Sequence, residues 1–276
     1  LKQTSYSQSH QPLPSPELAA DMPHAASSQQ AGAATTALMF AVNFVVNMSI
    51  SFDAPFLPMY LAERELLPEG QWAGLVQGML FSFGSMVQLV VTPMCPMVMQ
   101  RFGRFASAAS GILLFAASMI TFGPSAEIVA FLTASSTEAP SKHPACELAL
   151  MFLARFLGAC GGTLASISTM SLALEASPGN RGVLMGASET AIGVGFAVGP
   201  SVGAAFFLAG GFPAPFLACA GVSIGLFPLL FIARGDVVEG AQADEAEEAH
   251  ASAQSSLKTP VSPWRSPAAL FMSVVC

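Results

Sequence analysis

The chain has 276 residues, of which 53% are hydrophobic and only 10% charged, and its mean hydropathy is +0.60. Soluble domains carry about 25% charged residues, so the composition excludes an ordinary water-soluble domain and indicates an integral membrane protein. The net charge of −7 comes largely from residues 236–248, which hold six acids and no bases, and no basic nucleic-acid surface is present. The five cysteines lack metal-ligand spacing, so we expect neither a metal nor a cofactor.

The chain order predicts an all-α bundle between two polar segments. Residues 1–34, rich in Ser, Gln, Pro, Ala and His, are predicted to be a disordered tail. Apolar segments follow at about 35–62, 71–100, 104–124, 146–175, 180–208 and 212–234, each near or above the roughly 20 residues that cross a bilayer. Gly123 and Pro124 are expected to end the third, and residues 128–133 either extend it or form a short interfacial piece. We therefore predict a six-helix transmembrane bundle over residues 35–234.

The basic residues predict the orientation of this bundle. With the N-terminus in the cytoplasm, the segments on that side hold seven Lys and Arg residues, against two, Arg64 and Lys142, on the other side. Such an excess marks cytoplasmic loops. We therefore expect the N-terminus, the second and fourth connections and residues 235–266 to face the cytoplasm; the sequence does not distinguish a vesicular or organellar membrane from the plasma membrane.

The end of the chain suggests a repeated architecture. Residues 235–266 form an acidic linker, and the apolar run from Pro267 to Cys276 reads as the start of a seventh helix. Six helices, a long linker and a restart are typical of a two-half transporter. We interpret the chain, which begins with Leu1, as an N-terminal half that needs a missing C-terminal six-helix half.

Polar side chains within the apolar segments are the candidate functional residues. Asn43, Asn47 and Ser51 recur every four residues on one face of the first helix, and such a stripe lines a cavity or forms interhelical hydrogen bonds. Asp53 follows at the outer end, before Pro55 and Pro58 interrupt the helix. We expect Asp53 to be solvated, to cap the next turn, or to take part in transport.

Arg155 and Glu189 are the deepest charges. Counted at 1.5 Å per residue, they lie about 13 Å from the outer face and about 12 Å from the inner face, which places both near the midplane with Asn47. Because neither charge is stable alone in the membrane, we predict an Arg155–Glu189 pair, either static or opened by a proton. Glu147 and Glu175, near the ends of the fourth helix, are expected to be solvated at the interface.

Glycines mark the fourth and fifth segments. In the fifth segment, Gly186, Gly195, Gly199 and Gly203 accompany Pro200. Small residues at such intervals let helices approach closely, and the proline requires compensation from a neighbouring helix. The pattern predicts a tightly packed helix beside a polar path.

These residues resemble motifs of the major facilitator superfamily. The pattern from Gly186 through Gly195 and Gly199-Pro200 to Gly203 is similar to its antiporter motif, with Ala204 in place of the last glycine. Arg101, Gly103 and Arg104 match its loop between helices 2 and 3, although Gln100 stands at the acidic position. Arg155 matches the arginine of its helix-4 motif. The resemblance implies an exchanger whose loop at Arg101–Arg104 forms a cytoplasmic gate.

A closer resemblance is to the vesicular amine transporters, especially the polyamine branch. Met185-Gly186-x-x-Glu189-Thr190 and Gly211-Phe212-x-x-Pro215-Phe216 are similar to segments of that branch. The resemblance implies proton-coupled antiport of organic cations such as polyamines or amine drugs, with a small-molecule substrate and protons as partners and the bilayer as surroundings. The alternatives are a carrier of an anion, sugar or other metabolite, or a half-protein that does not transport. No catalytic cluster indicates an enzyme.

Overall fold

The computed structural model describes residues 16–66, 72–133, 144–232 and 234. Nine α-helices lie in these ranges, and no strand occurs within them. We number the helices α1 Pro16–Ser51, α2 Leu57–Glu63, α3 Trp72–Val91, α4 Cys95–Phe102, α5 Arg104–Phe122, α6 Ser125–Thr133, α7 Pro144–Ala176, α8 Arg181–Gly210 and α9 Pro213–Ile232. A short 3₁₀ turn, Thr92–Met94, joins α3 to α4.

Six stretches are long and apolar enough to cross a membrane, and they confirm the predicted all-α fold. They are Ala34–Ser51, Trp72–Phe102, Arg104–Phe122, Pro144–Ala176, Arg181–Gly210 and Pro213–Ile232. The third ends at Phe122, and residues 125–133 form the separate helix α6 rather than an extension. The predicted linker and the start of a seventh helix lie outside the described residues.

Helix α1 begins earlier than predicted. It starts at Pro16, so that residues 16–34, expected to be disordered, continue the first membrane helix. Alanine and glutamine favour helix, and extending an existing helix avoids the cost of nucleating a new one.

Close backbone contact joins α5 to α7. A Cβ on Gly111 would lie 2.5 Å from the Ala165 nitrogen, and a Cβ on Gly161 would lie 2.5 Å from the Phe115 nitrogen. Positions along α5 therefore rise as positions along α7 fall, so the two helices are antiparallel. Helix α7 also contacts α1, where Gly162 lies against Val46. This arrangement brings the middle of α7 to the C-terminal end of α1, where the candidate site lies.

Helix α3 has the most open surface of the six spans. Only Leu80 along its length is buried, and Met86, Leu89 and Val90 are all more than 60% exposed. In the bilayer this apolar face contacts lipid or another membrane helix.

Candidate functional site

The candidate site begins at the break between α1 and α2. Residues 52–56 form a turn, and Pro55 inside it prevents the helix from continuing unchanged. The backbone carbonyl of Asp53 accepts hydrogen bonds from the amides of Phe56 at 3.3 Å and Leu57 at 2.9 Å. Asp53 therefore closes this turn through its main chain. It does not cap α2, whose N-cap residue is Phe56, and its side chain makes a different contact.

That side chain is fully buried and paired with Arg155. The Asp53 side chain has 0% exposure, and the Nη2 group of Arg155 on α7 donates a hydrogen bond to its Oδ2 atom. The Arg155 side chain is 14% exposed. A buried carboxylate and a buried guanidinium each require a partner of opposite charge. The expectation that Asp53 is solvated at the interface is therefore wrong.

The pair keeps unused hydrogen-bonding capacity. Asp53 Oδ1 and Arg155 Nε are buried, and neither has a hydrogen-bond partner among the described residues. Arg155 also lines a cavity of about 50 Å³ whose polar wall includes Ser49, Ser85 and Gln88. A space of this size suits one or two water molecules, and the few polar groups of its mostly apolar wall can bond them. A proton or a water can therefore join the pair without displacing another protein group.

Aromatic side chains pack close to the pair. The Arg155 guanidinium lies over the Phe122 ring, with 4.8 Å between its Cζ atom and the ring centroid, a cation–π contact. Phe216 contacts both Phe122 and Phe52, with centroids 4.8 and 4.9 Å apart respectively. Because Coulomb attraction is stronger in such an apolar setting than in water, the pair is held firmly while both groups are charged.

A second charged cluster lies nearer the end of the bundle, at the start of α7. Glu147 is 5% exposed; its Oε1 accepts a hydrogen bond from the Tyr60 hydroxyl at 2.8 Å, and its Oε2 forms a 3.3 Å ion pair with Arg64. Tyr60 also stacks on Phe212, with centroids 3.6 Å apart. Burial, followed by the hydrogen bond and the negative charge of Glu147, raises the pKa of the Tyr60 hydroxyl well above its ordinary 10. The expectation of a solvated Glu147 is wrong, because α2 folds over it.

Glu189 lies elsewhere. It is exposed on α8, whereas Gly195, six residues later, faces α1. Six residues turn a helix by about 240° beyond one full circle, so the two residues occupy different faces. Counting depth placed Glu189 and Arg155 at one level but did not fix the face of α8. The predicted Arg155–Glu189 pair is therefore replaced by the Arg155–Asp53 pair.

The two asparagines bond within their own helix. Asn43 Nδ2 donates to the Met39 carbonyl at 2.9 Å, and Asn47 Nδ2 donates to the Asn43 carbonyl at 2.8 Å. Asn43 is 4% exposed. Within the described ranges, neither asparagine forms a side-chain hydrogen bond to the ion pair or to another helix. The residue of this stripe that does reach a neighbouring helix is Ser51, whose Oγ donates to the Phe196 carbonyl of α8 at 3.2 Å.

The glycines of α8 pack it against α1. Gly195, Gly199 and Gly203 are buried, and a Cβ at any of them would clash with backbone atoms of residues 44–52. At Gly195, for example, it would lie 2.7 Å from the Phe44 carbonyl oxygen. Pro200 lies inside the helix between two of these contacts, while Gly186 has no neighbour within 4 Å. Three of the four motif glycines therefore join α8 to the helix that precedes Asp53.

The loop predicted to form a gate lies at the opposite end of α5 from Phe122. Gly103 joins α4 to α5 with a φ of 85°, a left-handed conformation that glycine adopts without strain. Arg104 forms an ion pair with Glu175 at the end of α7, and Arg101 is exposed. Glu175, which we expected to be simply solvated, is thus half of a partly exposed ion pair.

Sequence reasoning did not identify Gln88 and Phe122 as part of the site, nor the Tyr60–Glu147 bond. Their contacts depend on which face each helix turns inward, and no local spacing encodes this. Among the described residues, no group of three or more His, Cys, Asp or Glu side chains is placed to hold a metal ion.

Comparison with known proteins is consistent with this geometry. The sequence pattern of the Major Facilitator Superfamily matches residues 33–276, which is most of the chain. A search of curated proteins found no match. The matched region contains all six membrane spans and the Asp53–Arg155 pair. The chain therefore belongs to the major facilitator superfamily and is an integral, multi-pass transmembrane protein of the small-molecule transporter class.

Proposed function

We propose that the protein is a proton-coupled exchanger of organic cations, such as polyamines or amine drugs. The observation that carries this proposal is the buried Asp53–Arg155 pair with its unpartnered Oδ1. A proton added to Asp53 removes the negative charge and leaves Arg155 as an uncompensated cation in an apolar setting. This change favours a rearrangement of α7 relative to the α1–α2 break, and loss of the proton restores the pair.

The α8–α1 packing would carry that rearrangement. Gly195, Gly199 and Gly203 connect α8 to the helix that ends beside Asp53, so a shift of α1 is transmitted to α8. Their spacing resembles the antiporter motif, which supports exchange. Glu189, exposed on the same helix, supplies a carboxylate that attracts an amine substrate. The proton and the substrate cation would thus use two different carboxylates, on two contacting helices.

Transport assays test this proposal. The protein encoded by the intact transcript, with any sequence that flanks this chain, would be reconstituted into proteoliposomes. We expect an outwardly directed proton gradient to drive exchange of labelled spermidine, and Asp53→Asn to abolish its dependence on the gradient. Unchanged gradient dependence in Asp53→Asn would refute the coupling role. The matched control is Ser85→Ala, which changes a cavity wall without removing a charge.

A second candidate is exchange of a small anion. The observation that favours it is the free Nε of Arg155 beside the cavity, because protonation of Asp53 would leave the guanidinium available to an anionic group. Labelled carboxylates and sugars in the same proteoliposomes separate the candidates. Anion uptake without spermidine uptake would select the second candidate, and uptake of none of these solutes would argue against both.

A further inference from the structure

A second pocket lies far from the Asp53–Arg155 pair. It has a volume of about 600 Å³ and opens at the end of the bundle where α4 ends, α5 begins and α7 ends. We call it the arginine pocket, after two of the residues that line it. Its polar and aromatic lining residues are Gln100, Arg104, Phe105, Ser171, Glu175 and Arg234.

Positive charge exceeds negative charge in the lining of the arginine pocket. Arg104 is compensated by its ion pair with Glu175, but 45% of its side chain remains exposed. Arg234 lies over the Phe105 ring at 5.2 Å from the centroid, and no carboxylate among the described residues forms an ion pair with it. Gln100 adds an uncharged amide. The lining therefore has an excess positive charge and offers guanidinium and amide donors to an anion.

The start of α5 adds to this preference. Gly103 precedes the helix, and its N-terminus has no side-chain cap. The first amide that bonds within the helix is that of Ser107, which donates to the Gly103 carbonyl. By helix geometry the amides that precede Ser107 in α5 have no acceptor within their own helix, and the positive end of the dipole of this 19-residue helix lies at the pocket. Phosphate oxygens are good acceptors for such amides.

The surroundings indicate the source of the phosphate. Phe102 and Met97 on α4, and Phe231 and Ile232 at the end of α9, are 53–69% exposed beside these charges. Apolar side chains next to arginines at the end of membrane spans match a lipid. Its acyl chains contact the apolar side chains, and its headgroup contacts the arginines. A soluble phosphate would contact only the charged side chains and would leave the apolar ones uncovered.

We propose that the arginine pocket binds the phosphodiester headgroup of an anionic phospholipid. Arg234 and Arg104 contact the phosphate oxygens, Gln100 donates a further hydrogen bond, and the acyl chains lie along the exposed apolar face of α4 and α9. Because Arg104 also bonds to Glu175, the lipid would connect α5, α7 and the end of α9 at one point.

Native mass spectrometry of the full chain in detergent tests the proposal. Phosphatidylglycerol and phosphatidylcholine with identical acyl chains would be titrated separately, and inorganic phosphate would be titrated alone. We expect preferential binding of phosphatidylglycerol, weakened about fivefold by Arg234→Gln, as one arginine near a membrane surface contributes. Arg234→Lys should keep most of the binding. Glu175→Gln, which frees Arg104, should strengthen it.

The matched control is Arg181→Gln. Arg181 is exposed at the first residue of α8, on the same end of the bundle, but does not line the pocket. Equal weakening by Arg181→Gln and Arg234→Gln would mean diffuse attraction and overturn the proposal. No preference between the two lipids would also overturn it. Binding of inorganic phosphate as tight as that of phosphatidylglycerol would assign the pocket to a soluble phosphate instead.

Discussion

Arg155 and Asp53 form a buried ion pair although 102 residues separate them in the chain. Removing one member leaves the other charge without compensation, which costs about 3–5 kcal/mol in buried pairs. We expect Asp53→Asn to lower the free energy of unfolding by such an amount. Adding Arg155→Met should recover most of the loss, because a flexible apolar side chain then replaces the uncompensated charge.

Thermal or denaturant unfolding in detergent checks this with a double-mutant cycle of Asp53→Asn, Arg155→Met and the combination. Coupling between the two positions is the expected result. Strictly additive losses would show that the two side chains do not interact. Thr190→Val, at an exposed position of α8, serves as the control for loss of a polar group.

The limits of the sequence are visible in this pair. Hydropathy predicted six spans because a length of apolar chain is a local property. The depth of Arg155 also follows from the sequence, by counting residues along the helix at 1.5 Å each. The predicted partner is wrong because depth does not specify rotation, and Glu189 is exposed on α8. The position of Asp53 before Pro55 leaves solvation, capping and a role in transport all open, whereas in the structure the turn at Pro55 and the packing of Phe52 and Phe216 enclose it. Such enclosure is produced by tertiary contacts.

The packing of α8 on α1 gives a second prediction. A Cβ on Gly199 would lie 2.8 Å from the Met48 carbonyl oxygen, a backbone atom that cannot move without shifting α1. We expect Gly199→Ala to destabilise the protein by about 1–3 kcal/mol, as overpacking does. Gly193→Ala is the matched control, since no heavy atom lies within 4 Å of its added Cβ. Melting temperatures in detergent should fall for the first variant only; equal values would argue against close α1–α8 contact.

Glu189 should affect substrate binding without affecting stability. Because its side chain is exposed on α8, Glu189→Gln should leave the melting temperature unchanged, in contrast to Asp53→Asn. If it attracts an amine substrate, the variant should raise the KM for spermidine while the gradient dependence of exchange is retained. Transport kinetics at several pH values separate these effects. A lost gradient dependence with an unchanged KM would instead move the proton site to Glu189.

Cys146 offers a test of orientation. It is exposed in the first turn of α7, whereas Cys95 and Cys219 are buried and Cys160 is partly buried. With the N-terminus in the cytoplasm, Cys146 should react with a membrane-impermeant maleimide added to the non-cytoplasmic side. A Cys276→Ser background removes the thiol outside the described residues, and Cys146→Ser is the control. Labelling from the cytoplasmic side alone would reverse the predicted orientation.

The Tyr60–Glu147 bond predicts a pH effect. A tyrosine whose pKa is higher in the folded than in the unfolded protein adds stability that is fully present below pH 10 and is lost as the pH rises toward the folded-state pKa. The chain has two tyrosines, so a Tyr6→Phe background leaves Tyr60 as the only source of tyrosinate absorbance. We expect no tyrosinate signal near pH 10 in the folded protein. Glu147→Gln should move the titration toward ordinary values without reaching them, because burial, the largest cause, remains. An ordinary titration in the Tyr6→Phe protein itself would contradict the buried hydrogen bond between Tyr60 and Glu147.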